Sequence, residues 1–167
     1  MVLTTSELIR SLQNEVRILL HLASKIDHTK LDYRPTPKQR STIELLRYLN
    51  VMGPALVQGA IAGAFDGAAW GVAQQAAEAR TFEQLLASIA TQSEFYASAL
   101  GHLHDADFRT EIEMFGNTST KGAFLVNTVL CGHAAYRTQL FNYLKACGHE
   151  ELGTANLWRG VDPPPPA

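Results

Sequence analysis

Six polar side chains fall on helical stripes that are otherwise Leu, Ile and Val: Glu15, Tyr48, Gln92, Tyr96, His133 and Tyr136. In the first stripe, the step from Leu8 and Leu12 to Leu19 lands on Glu15. Tyr48 follows Leu45 by one turn, and Gln92 and Tyr96 lie between Ile89 and Leu100. Gly132 and Tyr136 lie between Val129 and Leu140, with His133 beside them. Helical bundles build ligand and metal sites this way, from polar groups on facing helices at similar depth. The six residues are therefore candidates for one ligand pocket.

Each candidate also has a plainer reading. A tyrosine on a core stripe can be a large apolar ring with its hydroxyl satisfied by one partner. A carboxylate on such a stripe needs a partner, unless a register shift of one position places Glu15 at the stripe's edge. His133 alone reads more readily as a hydrogen-bonded histidine at a helix edge than as a ligand. His102 and His104 form an H-x-H pair followed by Asp105 and Asp107, enough for an adventitious surface metal but not for a built zinc site. Cys131 has no activating neighbour, which argues against a nucleophile. Sixteen helical residues, about 24 Å, separate it from Cys147, too far for a disulfide. Reduced cysteines suit the cytoplasm.

The elements that must hold these residues have readable starts. Thr4 and Glu7, Ser41 and Glu44, and Thr81 and Gln84 each form the S/T-x-x-E/Q pattern of a capping box before an amphipathic run. The stripes predict helices over about 5–27, 41–62, 82–104 and 120–146. Their core faces are Leu8, Leu12, Leu19, Leu22 and Ile26; Leu45, Leu49, Met52 and Leu56; Leu85, Ile89, Leu100 and Leu103; and Leu125, Val129, Leu140 and Tyr143. Pro54 lacks an amide proton, which predicts a kink or break near Gly53. Pro35 and Pro37 mark a loop. The Ala- and Gly-rich segment 63–80 reads as a loose crossover with one helical turn. Residues 104–119 alternate enough for an extended excursion or short hairpin. The ending "DPPPPA" reads as an extended tail. The expected architecture is an all-α four-helix bundle over residues 1–160, with a long crossover region and a proline-rich tail over 161–167.

Composition narrows the function classes. The 167 residues are 46% hydrophobic and 18% charged, with 14 basic against 16 acidic side chains and no basic block. This is a globular balance without the footprint of a nucleic-acid binder. The start turns amphipathic at once, unlike a signal peptide, and no stretch approaches the roughly 20 apolar residues of a membrane span. A soluble, cytoplasmic protein is expected.

The segments "LDYRPTPKQRSTIELLRYL" and "HAAYRTQLFNYLKACG" resemble the DinB-like (YfiT-like, damage-inducible) superfamily of bacterial four-helix bundles. Tyr33-Arg34-Pro35, Ser41, Glu44, Leu45, Arg137, Gln139-Leu140 and Gly148 carry the resemblance, which runs over nearly the whole chain. Members of that superfamily place one metal-binding histidine on the second helix and two, a turn apart, on the last. Here those positions fall on Tyr48, Gly132 and Tyr136, and His133 lies one place, about 100°, around the helix. A phenol must lose a proton with a pKa of about 10 before it ligates, and glycine offers no donor. The resemblance thus implies a metal-independent bundle, without a cofactor, that binds an unknown small molecule. The alternatives are a metal-dependent thiol transferase or isomerase, with zinc, nickel or iron, and a non-catalytic stress-response module. The resemblance also implies a homodimer, for which Ala87, Ala90 and Ala97 offer a small-residue face.

Overall fold

The computed structural model describes residues 3–164. The chain begins with α1 (Thr5–Ala23), a single 3-10 turn (His28–Lys30) and α2 (Thr42–Ala62). Next come α3 (Gly67–Glu78), α4 (Phe82–Leu100) and the one-turn α5 (Asp105–Phe108). An antiparallel hairpin, β1 (Glu111–Met114) with β2 (Asn117–Thr120), pairs Glu111 with Thr120 and Met114 with Asn117. The last long helix runs from α6 (Lys121–Phe124) through a π-helical stretch (Leu125–Leu130) into α7 (Cys131–Ala146). A short π-helical segment, Ala155–Arg159, follows. The chain is thus mostly helical with one small hairpin.

All three capping boxes form. Thr4, Ser41 and Thr81 each accept from the backbone three residues on, and Glu7, Glu44 and Gln84 each reach back. They satisfy amide donors that a helix start leaves open, each worth about 1 kcal/mol. The stripes they introduce meet in one core. Both α1 and α2 pack against α4 and against α7. Leu12, Leu22, Leu45, Leu49, Leu85, Ile89, Val129 and Leu140 have no exposed surface. Each such side chain contributes about 1.5–3 kcal/mol by leaving water.

Three sequence expectations need correction. Segment 63–80 is not a loose crossover: α3 is a 12-residue helix. Asp66 caps it by accepting from the Ala69 amide at 2.9 Å, and its alanines propagate it at little entropic cost. The first and third helices end at Ala23 and Leu100, short of the expected boundaries, and Leu103 is only half-buried. Finally, α2 runs unbroken through Pro54. The end of the proline tail, residues 165–167, lies outside the described residues.

Candidate functional site

The reason α2 survives Pro54 lies on the neighbouring helix. A proline at position 54 cannot donate to the Asn50 carbonyl one turn back. The Gln92 amide nitrogen, on α4, donates instead to the carbonyls of Leu49 (2.9 Å) and Asn50 (3.3 Å). That fixes the amide's orientation and turns its oxygen toward Tyr96, whose hydroxyl donates to it at 3.1 Å. The same hydroxyl lies 2.7 Å from Nε2 of His133 on α7. Since the tyrosine proton goes to Gln92, Nε2 carries the histidine proton and donates to Tyr96. Nδ1 then presents a bare lone pair, buried and without a partner, which costs less than an orphaned N–H. Burial pushes the His133 pKa down to about 4, and it raises that of the Tyr96 phenol well above its usual value. Both groups are held neutral.

Gly53 makes room for this bridge. A Cβ there would sit 1.9 Å from the Tyr96 hydroxyl and 2.6 Å from His133 Nε2. Gly53 and Pro54 therefore belong with Gln92, Tyr96 and His133 as one polar link among α2, α4 and α7. The link has no route to solvent, since Gln92, Tyr96 and His133 are at most 2% exposed.

Glu15 lies elsewhere. Its carboxylate receives Nε of Arg137 at 2.6 Å and Nη2 at 3.2 Å. Arg137 is buried, and its Nη1 donates to the Leu157 carbonyl. This two-pronged pair joins α1 to α7 and fastens the Ala155–Arg159 segment beneath Trp158, whose ring centroid is 5.4 Å from the guanidinium carbon. It is a structural clamp.

Tyr48 and Tyr136 form a third place. Both are half-buried, with ring centroids 5.0 Å apart at an interplanar angle of 64°. Trp70 of α3 stands edge-on to Tyr48 at 5.9 Å. The guanidinium carbon of Arg40 lies 3.9 Å over the Tyr48 ring and 5.9 Å from that of Tyr136, within cation–π range. Desolvation and the neighbouring Tyr136 phenol push the Tyr48 pKa up to about 12. Tyr48 is also in the wall of a cleft of about 430 Å³ with Arg40, Glu44, Arg47, Gln74 and Glu78. The sequence candidates thus divide three ways: a sealed bridge, a clamp and a cleft wall. Sequence reasoning missed Arg40 and Arg47. Arg47 adjoins Tyr48 and Arg40 immediately precedes the α2 cap, but only the fold of α3 over α2 makes them walls of one cavity.

Tyr48, Gly132 and Tyr136 do not fit a divalent metal. Tyr48 keeps its proton at neutral pH, and Gly132 offers no side-chain donor atom. The one imidazole nearby, His133, spends Nε2 on Tyr96, and a guanidinium already lies against the tyrosine faces. Among the described residues no three His, Cys, Asp or Glu side chains gather, the His102–Asp107 segment included.

A solved structure matches this arrangement of helices. The crystal structure of a DinB-like protein, YjoA from Bacillus subtilis, aligns with a TM-score of 0.67 over 87% of this chain and 94% of its own. The fold is DinB-like. At 20% identity the match speaks for the DinB-like fold alone. No protein-family model and no curated protein matches the sequence. Among the described residues, no helix of this chain is long and apolar enough to cross a membrane.

Proposed function

We propose that this chain is a metal-independent binding protein of DinB-like fold that holds a small molecule in the cleft against Tyr48, with Tyr136 behind that ring. The observation that carries this reading is the state of Tyr48. It is a neutral, half-buried phenol fixed by Arg40, Tyr136 and Trp70 at the wall of a cleft within the size range of small-molecule sites. The donor set at Tyr48, Gly132 and Tyr136 supports metal independence. Glu15 belongs to the scaffold under this reading. So do Gln92, Tyr96 and His133, which hold α2, α4 and α7 in register behind the cleft.

The protein works in the cytoplasm as a homodimer of one domain, residues 1–160, without nucleic acid. Ala87, Ala90 and Ala97 are exposed on α4, which supports close packing of two copies there. Sedimentation at micromolar protein should show twice the 18.3 kDa chain mass. A lone monomer would remove the dimer from this account.

A small-molecule thermal-shift screen on wild type and Tyr48→Ala tests the binding reading. Compounds that raise the wild-type melting temperature should lose that effect in the variant. Hits indifferent to Tyr48→Ala would place binding elsewhere and overturn the proposal.

A further inference from the structure

The cleft holds two guanidinium groups, Arg40 and Arg47, and two carboxylates, Glu44 and Glu78, but no pair among them meets within 4.0 Å. Glu44 already serves two partners: it accepts from the Ser41 amide at 2.8 Å and from Arg34 at 3.2 Å. Other buried or half-buried cations are also engaged: Arg137 with Glu15, Arg80 with Asn50, and Lys121 with the Ile61 carbonyl. Half-buried Arg47 is not, and neither is Arg40, which is exposed at the mouth of the cleft. Among the described residues neither guanidinium donates a hydrogen bond or meets a carboxylate within 4.0 Å, and Nε of Arg47 is buried without a partner. A buried N–H on a cation with no acceptor is costly. Both groups line the same cavity.

Their geometry suits one kind of acceptor. The Arg40 guanidinium carbon lies 3.9 Å over the Tyr48 ring, and its N–H donors have no protein partner among the described residues. The cation–π contact holds the guanidinium without consuming its N–H donors. The Arg40 backbone is also pinned, because its carbonyl accepts from the Tyr143 hydroxyl at 2.8 Å. A planar fork aligns two parallel N–H bonds with a carboxylate or phosphate. The Tyr48 ring in the same wall favours a flat, unsaturated carbon skeleton.

We infer that the cleft binds a small organic oxyanion, a carboxylate or phosphate on an unsaturated skeleton, with Arg47 and the Arg40 held over the Tyr48 ring as its two anchors. This rests on the binding function proposed above and names the ligand's chemistry.

The test uses benzoate and phenyl phosphate as probes and benzyl alcohol as the uncharged control, titrated into the full chain in chloride-free buffer. Arginine Nε–H and tyrosine resonances report binding. Benzoate or phenyl phosphate should shift Arg47 Nε–H and Tyr48 saturably, and at least tenfold more tightly than benzyl alcohol. The tighter of the two identifies the preferred oxyanion. Arg47→Gln and, separately, Arg40→Gln should each weaken that binding at least tenfold with the melting temperature unchanged. Arg47→Lys, which restores charge without the fork, should recover only part. Benzyl alcohol binding as tightly as benzoate, with neither glutamine variant affecting it, would overturn the oxyanion inference and leave the small-molecule reading standing. Failure of all three probes to perturb Tyr48 would overturn the oxyanion inference as well. The compound screen, which includes neutral and cationic molecules, then decides the broader reading by itself.

Discussion

Two polar clusters share α2, with opposite designs. The Gln92–Tyr96–His133 bridge is sealed, and all but Nδ1 of His133 finds a partner inside it. The Arg40–Arg47–Tyr48 cleft is open, with two guanidinium groups that find no protein acceptor. Buried polar networks that close on themselves fix one packing of a core. Donors left open at a cavity wall are free to meet a ligand. The contrast teaches that a histidine and a tyrosine on apolar stripes do not mark a site unless their hydrogen-bonding capacity is unspent.

Substitutions in the two clusters should separate them, and Gly53→Ala should have the largest effect. The new methyl would occupy the space of the Tyr96–His133 hydrogen bond, forcing two packed rings apart. Overpacking together with a broken buried bond costs about 3 kcal/mol, read as a lower urea midpoint. An unchanged midpoint would mean that the bridge is not rigid.

Acid should act on the bridge at similar scale. The folded-state pKa of His133, about 4, lies below the ordinary histidine value of 6.5. The native state therefore binds fewer protons than the unfolded chain between those values. Stability is full above pH 6.5 and falls as pH drops toward 4, by roughly 3 kcal/mol when protonation is complete. His21 is also depressed by burial and adds in the same sense. Comparison with His133→Gln isolates the bridge: the variant should lose most of the slope between pH 6.5 and 5. An equal slope in both proteins would assign the acid sensitivity elsewhere.

Tyr96→Phe should come next, at about 1–3 kcal/mol, because it strands the Gln92 oxygen and His133 Nε2. Arg47→Gln should change stability least, within about 0.5 kcal/mol, since it breaks no hydrogen bond or ion pair. Chemical denaturation ranks the two. A larger loss for Arg47→Gln than for Tyr96→Phe would reverse the assignment of scaffold and site.

Helix starts were legible in the sequence because a capping box is a local pattern, and Thr4, Ser41 and Thr81 all form one. The α3 helix was not, because Gly67 and Gly71 among its alanines read as breakers while its cap, Asp66, has no glutamate three residues on. The six candidate residues were legible as exceptions on apolar stripes, but their grouping was not. A stripe gives a face and neither depth nor partner, so Glu15 could not be joined to Arg137 across 122 positions of chain. On the last helix the π-helical stretch is the physical reason for the shifted face. Its wide turn carries the buried series Leu125, Val129, His133 and Arg137 in steps of four. His133 thus faces the core, while Gly132 and Tyr136, placed on the stripe by a regular helical period, lie beside it.

The metal content of the purified full chain tests the central claim most directly. After extensive dialysis the protein should carry far less than one equivalent of zinc, nickel and iron together, because no set of three strong ligands gathers at Tyr48, Gly132 and Tyr136. Tyr48→His, Gly132→His and Tyr136→His combined should then raise metal retention. Wild-type protein that keeps one full equivalent would contradict the account and return metal-dependent chemistry to this fold.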